Sequence, residues 1–341
     1  MPTNVSPEYK AAEAEFRKAR APEDRLHWLR EMLRTIPKHK GTEHLQAELK
    51  TRVKELTEAL SGPRKGGART GPPTVLHAEG AAQVALLGPP NSGKSSLHAR
   101  LTGSHAEVGP FPFTTQYPQP GMLPFEDVNF QLVDLPPVSA QHFPPWLPST
   151  LQPADAALLI VDLGDPDCVE QVEELHRLLS PARVTLSGSW EPAGDGDGDG
   201  DDDDEDLFAV VLPTLLVATK TDELSNPEVE LATFRELTGY PYPAVSVSTV
   251  DGGGLDRLGP YLFEHLGVVR VYTKIPGQPP DLSKPFTVRR GETVGDVAVL
   301  VHKEIAADLR YARLWGRGTF DGQQVGRDHA LADGDVVELH T

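Results

Sequence analysis

The stretch Gly88-Pro89-Pro90-Asn91-Ser92-Gly93-Lys94-Ser95-Ser96 decides how this chain is read. It follows the apolar run Val84-Ala85-Leu86-Leu87 and precedes the helical pattern SSLHARL, so it is a glycine-rich turn between a strand and a helix. Its spacing, GxxxxGK[ST], suits a phosphate cradle. Glycines let successive backbone N–H groups turn inward around a β-phosphate, and the next helix adds the positive end of its dipole. Lys94 then reaches the β- and γ-phosphates, and the Ser95 hydroxyl meets Mg²⁺. A ligand-free turn could share the spacing, but the strand–loop–helix setting argues against it.

Outward from that loop, short apolar runs at 83–87, 130–133, 156–161, 210–217 and 244–247 read as strands. Helical patterns at 168–179 and 227–237 lie between them, and 255–266 follows the last. This alternation predicts an α/β domain, a mostly parallel sheet with helices on both faces, whose ligands bind at the carboxyl ends of the strands. Before it, Ser6-Pro7 caps a first helix. Leu26, Leu29, Met32, Leu33 and Ile36 keep helical spacing up to Pro37, and Leu45, Leu49, Val53, Leu56 and Leu60 line a further helix after Thr42. An N-terminal helical hairpin or small bundle follows. After about residue 268 the order strand, strand, helix (293–308), strand, strand predicts a small β-grasp domain. The expected boundaries are 1–61 for the helices, 62–79 for a flexible basic linker, 80–267 for the P-loop domain and 268–341 for the last domain.

Four further elements appear in the order a guanine-nucleotide enzyme requires. Thr115, in Phe113-Thr114-Thr115, is placed to complete a Mg²⁺ shell when a γ-phosphate is present. Asp134 ends the strand FQLV and faces the same metal through water. Thr219-Lys220-Thr221-Asp222 matches a guanine-reading (N/T)KxD motif. Asp222 would accept bonds from the guanine N1–H and 2-amino group, donors that adenine lacks, while Lys220 lies along the base plane. Ser248-Thr249, before Gly252, supplies the backbone that reads O6. The pattern therefore expects GTP or GDP rather than ATP.

With 50 acidic and 32 basic residues, the chain has a net charge of −18. That balance argues against a polyanionic partner until its distribution is read. Residues 1–70 hold 15 Lys/Arg against 10 Asp/Glu, whereas residues 195–206 hold 9 acids and no base. The helical end can still meet phosphate. No signal peptide and no membrane span are legible, and the single Cys168 excludes an internal disulfide and a cysteine-based zinc cluster, so a cytoplasmic protein is expected. The acidic insertion, 191–206, nearly fits a calcium loop. However, Asp206 replaces the bidentate Glu and no helix directly precedes it, so it reads as a disordered segment. The twelve histidines lack metal-ligand spacing, and Trp315 and Phe320 are expected in the β-grasp core.

With these residues in place, the sequence resembles the developmentally regulated GTP-binding proteins of the Obg-like group. PNSGKSSL, the FTT segment ending in PG, VDLP, TKTD and, in the helices, IPKHKGTEHLQAELK carry the likeness. RVYTKIPGQPPDLSKPF, HKEI, YARLWG and VGRDHALADGDVVELH look like a TGS domain, a ubiquitin-like β-grasp module. The resemblance implies a cytosolic GTPase using GTP and Mg²⁺ near ribosomes or RNA, with no DNA partner. It also implies that Asn91 helps to hold a K⁺ ion that neutralises charge during hydrolysis. Lys94, Thr115 and Asn91 would then be the catalytic set, with Ser95, Thr115 and Asp134 around the metal.

Three departures qualify it. In Asp134-Leu135-Pro136-Pro137, a proline stands where the family has a glycine whose N–H contacts γ-phosphate. Losing that bond to a charged group removes about 1.5–3 kcal/mol of GTP preference. Val138 follows, so no glutamine is placed to orient water. Only about twenty residues separate Asp134 from the next strand, too few for an inserted subdomain, and the Pro-rich stretch 136–148 promises a stiff switch. An alternative therefore stays open: a G domain that docks its neighbours without productive hydrolysis.

Overall fold

The computed structural model describes residues 5–19, 21–39, 41–60, 76–104, 115–191, 208–318 and 320–341. Residues 62–75 of the linker, 192–206 of the acidic insertion, and Phe113 and Thr114 lie outside the described residues.

The chain begins with three helices, α1 (Pro7–Lys18), α2 (Pro22–Thr35) and α3 (Glu43–Leu60). Ser6 caps α1 by accepting a bond from the Tyr9 amide at 3.1 Å, with Pro7 in the first turn. Between α2 and α3 the buried Thr42 hydroxyl donates to the Pro37 carbonyl at 2.5 Å and accepts from Gln46 Nε2 at 3.0 Å. Leu29, Met32, Ile36 and Leu49 pack with Tyr9, Phe16 and Phe208. The stripe read from the sequence thus finds its partner surface in a three-helix bundle.

The central domain runs β1 (Ala82–Leu87), α4 (Lys94–Thr102), β2 (Gln119–Phe125), β3 (Val128–Asp134), α5 (Leu147–Leu151), β4 (Ala156–Asp162) and α6 (Cys168–Leu179). It continues with β5 (Val184–Ser187), β6 (Val210–Thr219), α7 (Pro227–Thr238), β7 (Ala244–Ser246) and α8 (Leu258–His265). The sheet order is β2-β3-β1-β4-β6-β5, with β7 also pairing β6. All pairs are parallel except β2 with β3. Side chains alternate between two cores. Val84 and Leu86 of β1 join Leu97 of α4 and Leu258 of α8, whereas Ala85 and Leu87 join Val172 of α6 and Leu231 of α7. The carboxyl ends of β1, β3, β4, β6 and β7 consequently open on one side.

The last domain comprises β8 (Val268–Thr273), β9 (Asp281–Arg289), α9 (Val294–Val301), α10 (Lys303–Asp308), β10 (Tyr311–Trp315), β11 (Gln323–Val325) and β12 (Asp335–His340). Its sheet order, β11-β10-β12-β8-β9, with β12 parallel to β8, is a β-grasp. Two expectations are corrected here. The helix read as continuous over 293–308 breaks at His302, which is extended (φ −169°, ψ 135°) and caps α10 through its ring by accepting from the Glu304 amide at 3.2 Å. Phe320 is 84% exposed, and Trp315 is only half-buried, with Lys274 Nζ 4.2 Å over its ring, so neither belongs to the core. Arg270 joins the two sheets: it pairs with Glu126 at 2.5 Å and Asp127 at 3.1 Å in the β2–β3 turn, and with Asp333 at 2.7 Å.

Candidate nucleotide-binding site

β1 delivers the chain into a loop that only particular residues can make. A Cβ on Gly88 would lie 2.3 Å from the Ile160 carbonyl oxygen of β4, so glycine alone fits. Asn91 (φ 59°) and Gly93 (φ 89°) then turn the backbone so that α4 starts at Lys94. Pro89 and Ser92 are buried, while Pro90, Ser95 and Ser96 are half-buried around the opening.

Lys94 is 6% exposed, and its ammonium donates to the Gly88 carbonyl at 3.1 Å, the Pro89 carbonyl at 2.7 Å and Ser92 Oγ at 3.4 Å. Burial pulls its pKa down to about 8, against the opposing charge of Asp134. The loop's own oxygens hold the charge where phosphate oxygens would replace them.

Beside it, Ser95 Oγ donates to Asp134 Oδ2 at 2.6 Å and Thr115 Oγ1 donates to the same oxygen at 3.2 Å, the two hydroxyls being 3.1 Å apart. Asp134 is 1% exposed, and its Oδ1 is buried without a hydrogen-bond partner among the described residues. Burial pushes the Asp134 carboxyl above its ordinary range, against the bond from Ser95 and the charge of Lys94. One orphaned carboxylate oxygen among hydroxyl oxygens is a hard donor set, and it fits Mg²⁺.

The side that carries the TKTD turn is built differently. Thr219 ends β6, and its hydroxyl lies 2.7 Å from the Ser92 carbonyl and 3.1 Å from that of Val161, tying this strand end to the phosphate loop. Lys220 adopts φ 55° and its Nζ pairs with Asp162 Oδ2 at 2.7 Å, while Asp162 Oδ1 accepts from the Gly164 amide at 2.9 Å. Asp222 stands exposed on the single 3₁₀ turn Thr221–Glu223. The Thr221 amide reaches the Val247 carbonyl at 3.4 Å and so brings this turn against the next loop. There Ser248 is buried, with its hydroxyl accepting from the Val250 and Asp251 amides at 3.2 and 3.3 Å, and Thr249 is half-buried.

The fold thus gathers Lys94, Ser95, Thr115 and Asp134 into one hydrogen-bonded cluster. It puts Thr219, Lys220 and Ser248 at the same end of the sheet, and leaves Asp222 and Asn91 exposed, with no hydrogen bond joining either to the cluster. Asp162 was missed by sequence reasoning. Its only signal is that it ends the apolar strand AALLIVD as Asp134 ends FQLV.

After Asp134 the chain is packed. Pro137 is buried, and the next amide, that of Val138, already donates to the Gly88 carbonyl at 3.2 Å. Leu135, Val138, Leu147 and Leu151 all enter the sheet core, and Ser139 and His142 exchange backbone bonds at 3.1 and 2.9 Å.

Fold and site together define a P-loop nucleotide-binding domain followed by a β-grasp module. Residues 83–186 match the family model of a 50S ribosome-binding GTPase, and residues 269–341 match that of the TGS domain. An uncharacterised GTP-binding protein of Methanocaldococcus jannaschii is 29% identical, with 93% of this chain and 92% of that protein covered. Another from Halobacterium salinarum is 29% identical, with 93% and 98% covered. Developmentally-regulated G-protein 1 of Arabidopsis thaliana is 28% identical, with 91% and 88% covered. The chain is a GTP-binding protein related over most of its length to the developmentally regulated G-proteins, with a P-loop GTPase domain and a C-terminal TGS domain.

Proposed function

We propose that this protein is a magnesium-dependent GTP switch with slow intrinsic hydrolysis, working in the cytoplasm on a ribosomal or RNA surface. The observation that carries the reading is the Ser95–Thr115–Asp134 cluster at the mouth of the phosphate loop. Lys94 trades its loop carbonyls for β- and γ-phosphate oxygens. The amides of the loop from Gly88 to Ser96 wrap the β-phosphate. Ser95 and Thr115 hold the metal, and the buried Asp134 orients its water. A magnesium ion held there would supply positive charge against that of the β- and γ-phosphates. Thr219 keeps the base-reading turn fixed to the loop, Asp222 selects guanine, and the backbone at Ser248-Thr249 meets O6. Asn91 is the residue available for a K⁺ ion. The ribosomal part rests on the description of the family model that residues 83–186 match.

The test is a fluorescent GDP/GTP titration over Mg²⁺ and K⁺ concentrations, with Asp222→Ala as control, followed by single-turnover hydrolysis. Saturable, magnesium-dependent binding with slow phosphate release is expected. Absence of such binding to both nucleotides would sink the reading, and hydrolysis rates equal with and without K⁺ would remove the role of Asn91. A second reading, a docking module without turnover, is favoured by one observation: Pro137 lacks an N–H and the neighbouring Val138 amide is engaged by Gly88. Equal affinity for GTP and GDP with no phosphate release would decide for it.

A further inference from the structure

Where the N-terminal bundle, the start of β1 and the TGS domain meet, a groove of about 680 Å³ opens. Part of its wall is apolar: Trp28 of α2, and Val299 and Leu300 of α9, the latter two 51% and 53% exposed. α9 has the sequence VGDVAVLV, apolar around its whole circumference apart from Asp296. One side, with Val294 and Val297, fills the TGS core. A helix apolar all round is normally covered on both sides, and here Val299 and Leu300 on the outward side stay about half exposed.

Acidic residues supply the charged part of the lining. Asp24, Glu79 and Asp296 border the groove, the last with its carboxylate bonded to Thr293, and no Lys or Arg among the described residues lines it. Asp24 and Glu79 have no ion-pair partner among the described residues, so an occupant with cationic groups meets charges still open to pairing.

We propose that this groove docks a basic, amphipathic segment of a partner protein. The segment's apolar side chains cover Trp28, Val299 and Leu300 while its Lys or Arg residues meet Asp24 and Glu79. The chain's own stretches are poorer occupants. Residues 61–75 contain Arg64, Lys65 and Arg69, but Val75 is their only large aliphatic residue, and the acidic residues 195–206 carry the wrong sign. Nucleic acid is repelled for the same reason. The groove borders the amino end of β1, whereas the phosphate loop leaves its carboxyl end, about 20 Å away at 3.3 Å per residue. Partner and nucleotide can therefore be held together.

The test uses the full chain and a fluorescein-labelled synthetic Leu/Lys peptide of roughly 18 residues with helical amphipathic spacing, beside a scrambled peptide of equal composition. Anisotropy is read at about 0.15 M salt, where long-range attraction to an acidic protein is screened. The amphipathic peptide is expected to bind about tenfold more tightly than the scrambled one. Leu300→Asp and Glu79→Lys should each remove about tenfold, while Glu228→Lys on the distant α7 should change little. Val299 and Leu300 are exposed, so Leu300→Asp should keep both the melting temperature and nucleotide affinity. Equal binding of the two peptides, or equal loss from Glu228→Lys, overturns the proposal as mere charge attraction. A tenfold gain after replacing Arg64, Lys65 and Arg69 by Ala overturns it in favour of the chain's own linker as occupant.

Discussion

The two ends of the nucleotide pocket are built on opposite terms. At the phosphate end Lys94 and Asp134 are almost wholly enclosed, Lys94 donating to Gly88, Pro89 and Ser92 and Asp134 accepting from Ser95 and Thr115. At the base end Asp222 stands exposed on a single 3₁₀ turn, and Lys220 is occupied by Asp162. The difference separates affinity from selectivity. In the proposed reading the enclosed end carries a burial penalty on the Lys94 charge that phosphate would relieve. On the same reading the open end would lose its water when a base covers it, and the acceptor left unpaired by adenine would then penalise the wrong purine.

The sharpest way to break this comparison is Lys94→Met. Holding a charged lysine there, with its pKa near 8, costs the ligand-free fold about 3 kcal/mol at neutral pH by the size of the shift. The variant is expected to melt higher without nucleotide yet to lose at least about a hundredfold in guanine-nucleotide affinity, read by calorimetry and fluorescent-nucleotide titration. A variant less stable than wild type would show that the phosphate end is not strained. Next comes Asp222→Ala, which should leave stability unchanged and narrow the preference for GTP over ATP by roughly 10- to 150-fold in competition binding. If ATP competes no better than before, the open end does not read the base.

A smaller effect is expected for Pro137→Gly. Restoring an N–H beside the loop should raise the GTP-over-GDP affinity ratio by about tenfold, unless the packing of Leu135 and Val138 in the core prevents the backbone from turning. The smallest is a pH effect on the support of the base end. His176 of α6 stacks on Tyr240 (centroids 4.1 Å apart) and bonds Tyr242 at 3.1 Å, just before β7 and the Ser248 loop. Burial holds its pKa below the usual histidine value. Between that lowered value and about 6.5 the unfolded chain binds more protons, so stability falls as pH drops through this window. Thermal melts from pH 7.5 to 5.5 should show a decline that His176→Gln flattens.

Much of this could be read before any coordinates. The P-loop, the strand-end Asp134, the TKTD turn and five core strands announce themselves through local period and turn chemistry, because each depends on residues within a few positions of one another. The strand β2 did not, since Pro120, Gly121 and Pro124 make QPGMLPF look like a loop. It exists as an antiparallel edge, where a missing N–H can face away from the ladder. β5 and β11 were not legible either: they have four and three residues, and β11, QQV, holds a single apolar one.

The amino-acid sequence by itself determined that a P-loop turn sits between a buried strand and a helix, with the TKTD turn downstream and a β-grasp module at the end. Only the tertiary structure decided that Lys220 meets Asp162, that the Val138 amide is taken by Gly88, that Phe320 faces water and that Arg270 clamps the TGS domain to the β2–β3 turn. Those pairings join residues from 58 to 144 positions apart in the cases of Lys220–Asp162 and Arg270–Glu126. Their partners are set by which strands become neighbours in the sheet, and no local pattern of side chains encodes that adjacency.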